Sequence, residues 1–150
     1  MKKILLISFV IFTVVATSVR AFGPKTDIKP SEYEIGISFE QANKDVKPSI
    51  VLFYADWCTY CMKFMPKFKI LSDVYKEKYN FVMINVDNPA YKKTIDEYAL
   101  GGFPTMYIVD PKLDNRVLIS NTLYDNLRKT RVELDRYLRI RALIPSEKIK

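Results

Sequence analysis

The chain has 150 residues, of which 49% are hydrophobic and 27% charged, with a formal net charge of +7, no His and two Cys. This length suits one globular domain rather than two. The absence of His excludes Ser-His and Cys-His catalysis and His-ligated zinc or haem, and two Cys cannot supply a Cys₄ metal site. Reactive sulfur chemistry is therefore expected only at Cys58 and Cys61.

The first 21 residues have the order of a secretory signal peptide. Lys2 and Lys3 precede an apolar run over residues 4–19, and the small residue Ala21 closes the segment. We predict export, to the periplasm, where disulfides persist. The alternative is that residues 4–19 remain as a membrane anchor. The rest of the chain is only weakly basic, which gives no reason to expect a nucleic-acid partner.

Hydrophobic periodicity predicts alternating strands and helices along the rest of the chain. The chain begins with a leader and first strand over 22–37 and a short helix from Ser38 to about Val46, opened by a Ser38–Gln41 capping box. It continues with a buried strand over 50–54, a helix over 58–78 kinked at Pro66, and a strand over 81–86. It ends with a short helix after Pro89, strands over 105–109 and 116–120, and a helix over 122–143. This alternation predicts an α/β domain over 38–143, with a mainly parallel central sheet, an antiparallel edge strand and helices on both faces. A basic tail follows over 144–150.

Cys58 and Cys61 lie where a buried strand is predicted to meet a helix. The first Cys then lies at the helix N-terminus, where free N–H groups and the helix dipole favour an anion. Because the thiolate is the attacking species in disulfide exchange, we predict Cys58 as the nucleophile and Cys61 as the resolving thiol. Two alternatives stay open: a purely structural disulfide, and a Cu(I) site in which Met62 and Met65 add thioether ligands.

Three segments of this chain resemble the thioredoxin superfamily. The run Trp57-Cys58-Thr59-Tyr60-Cys61 is similar to the family's active-site turn, and Pro66 falls where the family kinks the helix that follows. The run Gly102-Phe103-Pro104-Thr105 is similar to the loop that carries the family's cis-proline. The similarity in pattern extends over about residues 38–140.

The resemblance implies a thioredoxin-like fold and an exported thiol–disulfide oxidoreductase that acts on protein thiols and disulfides without a cofactor. It assigns catalysis to Cys58 and Cys61, substrate binding to Trp57, Phe103, cis-Pro104 and Thr105, and tuning of the redox potential to Thr59 and Tyr60. The reductant direction is slightly favoured, and a membrane-bound electron donor or acceptor is a further candidate partner. The alternatives are a non-catalytic binding module and a Cu(I)-binding protein.

One feature of many thioredoxins is missing beneath the thiol pair. Many thioredoxins have a buried Asp six positions before the first Cys and a Lys that pairs with it from the next parallel strand. Here these two positions are Leu52 and, in our alignment, Met83. No buried acid is then available to take the Cys61 proton. We expect the dry surroundings of Leu52 to raise the pKa of Cys61.

Overall fold

The computed structural model describes residues 28–144. The predicted signal peptide over 1–21 and the tail beyond residue 144 lie outside this range. The described part of the chain contains the strands β1 (Ser49–Tyr54), β2 (Asn80–Asn85), β3 (Thr105–Asp110) and β4 (Asn115–Ile119). Its α-helices are α1 (Phe39–Ala42), α2 (Thr59–Tyr75), α3 (Lys92–Asp96) and α4 (Leu127–Ala142). Single 3₁₀ turns cover Pro30–Glu32, Pro89–Tyr91 and Asn121–Leu123.

The four strands form one mixed sheet in the order β2-β1-β3-β4. Among them β1 pairs with β2 in parallel, whereas β3 is antiparallel to both of its neighbours. The predicted α/β layering is confirmed, but the sheet is not mainly parallel. The reason is the shortness of α3, whose five residues rise only about 7.5 Å and cannot return the chain to the start of the sheet. The chain therefore enters β3 close to the end where β2 finished.

The predicted strand over residues 33–37 does not form. The chain makes the Pro30–Glu32 turn and then crosses Gly36, which has a φ of +79°. Beyond it, the Ile37 N–H donates a hydrogen bond to Phe81 O at 2.9 Å. The alternation that predicted a strand has another cause, because Tyr33 and Ile35 pack against the main core from an irregular segment.

Gly36→Ala is expected to destabilise the protein by about 1–3 kcal/mol. A Cβ at this position would lie 1.9 Å from Phe81 O, and the positive φ disfavours any L side chain. Gly101→Ala is the matched control, since its Cβ would meet no atom within 4 Å. Thermal unfolding should separate the two variants, and equal melting temperatures would contradict this account.

The core lies on both faces of β1, all six residues of which are buried. On one face, α2 and α4 cover a cluster that includes Ile50, Leu52, Phe68 and Leu134. On the other, the short helices lie over a cluster that includes Val51 and Phe53. The continuous apolar run of β1 is thus explained by burial from two sides. Within the described residues, no helix combines the length and apolarity needed to cross a membrane.

Candidate active site

The two thiols lie where β1 passes into α2. The Cys58 N–H closes a turn onto Ala55 O at 3.2 Å, and Cys58 is then the N-cap residue of α2. The Cys61 N–H donates to Cys58 Sγ at 3.3 Å. The predicted place of Cys58 at a helix N-terminus is confirmed. A sulfur at the positive end of the helix dipole, with an N–H directed at it, is well placed to carry negative charge.

The two sulfurs differ in accessibility. Both residues are free thiols, with 7% of Cys58 and 1% of Cys61 exposed. The Cys58 thiol donates to Phe103 O at 3.4 Å, so it faces the loop before β3. Cys61 lies deeper, in a cluster with Tyr54 and Ala55. A foreign disulfide can therefore approach Cys58 more easily than Cys61.

The floor beneath Cys61 is apolar. Leu52 is fully buried and pairs in register with Met83 of β2, which confirms the alignment made from the sequence. Burial raises the pKa of Cys61 to about 12, and contact with the Cys58 side chain adds to the shift. The predicted direction of the shift is confirmed, and its physical cause is the desolvation of the thiolate.

Below about pH 10, Cys61 is expected to keep its proton, because its pKa is about 12. The ultraviolet thiolate absorbance of the reduced protein, less that of the disulfide form, should show no more than one thiolate in this range. Cys61→Ser should lose the alkaline step of this absorbance. Two thiolates appearing below pH 10 would refute the assignment.

The raised pKa of Cys61 also makes the stability of the folded state depend on pH. A thiol that holds its proton more tightly in the folded state stabilises that state fully below its unfolded pKa of about 8.5. This contribution is lost as the pH rises towards the folded value of about 12.

The Phe103-Pro104 peptide bond is cis, as the resemblance implied. Phe103 meets Trp57 edge to face, with ring centroids 6.2 Å apart. Thr105 is largely buried, and its hydroxyl donates to Gly102 O at 2.6 Å, so its side chain stabilises the loop from within. The structure thus brings Trp57, Cys58 and the cis-proline loop together.

The other predicted site residues lie at the rim. Trp57 and Tyr60 are 66% and 75% exposed, and Thr59 is exposed in the first turn of α2. The Trp57 indole N–H donates to Asp87 Oδ2 at 2.8 Å, which fixes the ring. Asp87 was not among the residues predicted from the sequence. A signal was present, because Asp87 follows β2, and the carboxyl ends of parallel strands meet at one edge of a sheet.

A groove of about 850 Å³ opens beside the cis-proline loop that Cys58 faces. It is lined by the start of α2, the cis-proline loop, the end of β4 and the segment after β4, including Tyr60, Phe64, Gly101, Leu118, Asn121 and Tyr124. The Tyr124 hydroxyl accepts from Met106 N–H at 2.7 Å and donates to Ile119 O at 3.1 Å, so the far wall is fixed to β3 and β4. The sequence alone did not place the end of β4 beside the cis-proline loop.

The geometry disfavours the Cu(I) alternative. Met65 is fully buried in the main core, apart from the cluster that holds the two thiols, and Met62 is half-buried. Within residues 28–144, no three His, Cys, Asp or Glu side chains group as a metal site. Met65 thus packs with the main core, whereas Met83 is the thioether that packs against the thiol cluster.

The comparison with known families agrees with this geometry. The family described as Thioredoxin matches residues 33–130. The chain belongs to the thioredoxin family. That match includes β1, the thiol pair, the cis-proline loop and the first residues of α4.

Curated relatives cover only part of this thioredoxin domain. Over 74 residues it is 39% identical to the thioredoxin-like protein HCF164, chloroplastic, of Arabidopsis thaliana, covering 49% of this chain and 28% of that protein. Over 85 residues it is 34% identical to protein disulfide-isomerase A4 of Bos taurus, covering 56% of this chain and 13% of that one. The chain therefore spans less than a third of the length of either relative.

A solved structure also has the thioredoxin fold of this chain. It is the germline-specific thioredoxin Deadhead of Drosophila melanogaster, with a TM-score of 0.52 and 23% identity, covering 63% of this chain and 87% of that one. At this identity the likeness concerns the fold alone. Thiol–disulfide chemistry is the activity typical of the family to which the domain belongs.

Proposed function

We propose that this protein exchanges a Cys58–Cys61 dithiol and disulfide with protein substrates, with Cys58 as nucleophile and Cys61 as resolving thiol. One observation carries the proposal. Cys58 caps α2, receives the Cys61 N–H at 3.3 Å, and faces the loop of the cis-proline Pro104 beside an open groove. This arrangement supplies a nucleophile, a second sulfur three residues away and room for a substrate.

In the reducing direction the exchange has two steps. The Cys58 thiolate attacks one sulfur of a substrate disulfide, the substrate S–S bond breaks, and the departing sulfur takes up a proton. Cys61 then loses its proton and attacks Cys58 Sγ, forming the Cys58–Cys61 disulfide and releasing the second substrate thiol. Two electrons pass from the protein to the substrate. With Leu52 in place of an acid, the Cys61 proton leaves to water or to a dissolved base.

The groove is proposed to hold the substrate in an extended form. The backbone of Phe103 lies beside Cys58 and can pair with a substrate segment as an added strand would. Exposed Trp57 and Tyr60 offer apolar surface around the sulfur. Pro104 and Thr105 shape the loop, while Thr59 and Tyr60, between the two sulfurs, are proposed to tune the potential.

We favour the reductant direction. This preference rests on the resemblance of the active-site turn and the cis-proline loop to those of the thioredoxin family. Export to the periplasm is proposed from residues 1–21, and a membrane-bound donor is proposed to return electrons to the oxidised pair.

The equilibrium potential of the thiol pair tests the proposal. Purified protein is equilibrated with glutathione buffers, and the fraction of Cys58–Cys61 disulfide is read by mass spectrometry after alkylation. A reductant should have a potential near about −270 mV, and an oxidant one near about −120 mV. A pair that does not cycle at any glutathione ratio would contradict the proposed function itself.

A further inference from the structure

The turn between β1 and α2 carries a carboxylate that the exchange chemistry does not use. Asp56 lies two residues before Cys58, inside the turn that the Cys58 N–H closes onto Ala55 O. Its Oδ1 accepts from the Ser31 N–H at 2.9 Å, and its Oδ2 accepts from the Ser31 hydroxyl at 2.7 Å. Two bonds from one residue, one to each oxygen, hold this carboxylate in place.

Ser31 is itself held by the fold. It lies in the 3₁₀ turn Pro30–Glu32, where Pro30 is buried. The two partners are separated by 25 residues in sequence, so the contact joins the N-terminal segment to the active-site turn. The segment that fails to form a first strand is therefore fixed next to the turn between β1 and α2.

Other charged groups near the site have their own places. The floor pair, Leu52 and Met83, is uncharged, and Asp87 is bonded to the indole of Trp57. Lys63 and Asp125 line the groove, and Asp125 is paired with Lys67. On β1, Tyr54 packs in the same cluster as the thiols. Asp56, in the turn between β1 and α2, is bonded to Ser31.

The charge of Asp56 contributes to the pKa values of neighbouring groups. Burial is the main cause of the raised pKa of Cys61 and the Cys58 side chain the next, and the Asp56 charge adds a smaller contribution in the same direction. Burial likewise raises the pKa of Tyr54 to about 12, with Asp56 as the next contribution. The Asp56 contributions have the sign expected when a fixed negative charge opposes the formation of a second one.

We propose that Asp56, fixed by Ser31, is an electrostatic tuning residue that opposes ionisation of the thiol pair and so makes the reduced protein a stronger electron donor. This inference rests on the proposed function. A negative charge beside the sulfurs destabilises the thiolate but hardly affects the neutral disulfide. The balance between dithiol and disulfide therefore moves towards the disulfide. Ser31 is the positioning residue, because it holds the carboxylate at a constant distance.

Asp56→Asn tests the charge while keeping the shape. The amide oxygen can still accept from Ser31, so the turn should be preserved. We expect the pH–rate profile for alkylation of the reduced protein to move lower by about half a unit. At pH 7 the alkylation rate and the ratio of reduced to oxidised protein in a fixed glutathione buffer should both rise, by factors whose product is about three. Ser31→Ala should move both quantities the same way, by less.

Two controls separate this effect from general damage. Asp73→Asn removes a carboxylate paired with Lys69 further along α2, and it should leave rate and potential unchanged. In the unaltered protein, added salt should screen Asp56 and shift the profile in the direction of Asp56→Asn. The salt experiment needs no variant to fold.

The outcomes distinguish this inference from the proposed function. If the protein cycles with glutathione but Asp56→Asn has the unaltered pH–rate profile and potential, the tuning role is wrong. If the protein does not cycle at all, the proposed function fails. The alkylation profile then still decides whether the Asp56 charge acts on the thiols.

Discussion

Cys58→Ser is expected to abolish disulfide exchange, whereas Cys61→Ser should stop it at a covalent intermediate. Cys58 faces the Phe103 carbonyl, and Cys61 is almost completely buried. Without Cys58 no sulfur can begin the reaction, so the rate should fall more than about a thousandfold. Without Cys61 the first step proceeds, but the mixed disulfide cannot be resolved.

Non-reducing electrophoresis and mass spectrometry test this prediction. Each variant is incubated with a protein disulfide, quenched with acid and examined for an adduct. Cys61→Ser should accumulate an adduct through Cys58, and the double variant, which lacks both sulfurs, should give none. An adduct on Cys61 in Cys58→Ser, formed at the rate of the unaltered protein, would reverse the assignment of roles. No adduct with either variant would favour a non-catalytic binding module.

The largest effect on stability is expected from Arg141→Ala. Asp110, at the end of β3, is fully buried and accepts hydrogen bonds from Arg141 Nε at 2.5 Å and from the Tyr137 hydroxyl at 3.2 Å. Removing Arg141 leaves a buried carboxylate without its cation, which costs about 3 kcal/mol or more. The contact also fastens α4 to the sheet, and a further Arg141 bond reaches Val46 O.

Thermal unfolding should show a fall in melting temperature of about 10 °C for Arg141→Ala. Arg136→Ala is the matched control, because its partner Glu133 lies three residues away on the surface of α4. Such exposed pairs contribute at most about 1 kcal/mol. Disulfide exchange should be unchanged in both, since Asp110 lies at the end of β3 opposite to Thr105. Equal stability of the two variants would show that Asp110 finds another partner.

Local patterns in the sequence predicted the elements whose cause is itself local. The Ser38–Gln41 capping box forms with both of its hydrogen bonds. The continuous apolar run predicted a strand buried on both faces, and β1 is such a strand. The strand predicted over residues 33–37 was wrong, because the alternating residues Tyr33 and Ile35 pack half-buried against the core without joining the sheet. The predicted strand directions were also wrong, because the direction of β3 depends on how far α3 carries the chain along the sheet.

The features of the candidate site also divide into those that short motifs predict and those that depend on distant residues meeting in the fold. The N-cap position of Cys58 and the cis bond before Pro104 follow from short motifs. The Asp87–Trp57 and Ser31–Asp56 contacts join residues 30 and 25 positions apart. No motif relates such residues, since both contacts arise only when the N-terminal segment and the end of β2 fold against the active-site turn.

Mapping the first sulfur to react is the most direct test of the central claim, that Cys58 is the attacking thiol. Reduced protein at pH 7 is treated with a limiting amount of iodoacetamide, digested and analysed by mass spectrometry. Label should lie on Cys58 at least about tenfold more than on Cys61, because Cys58 is the more accessible thiol and the pKa of Cys61 is about 12. Equal labelling, or labelling mainly on Cys61, would contradict the account.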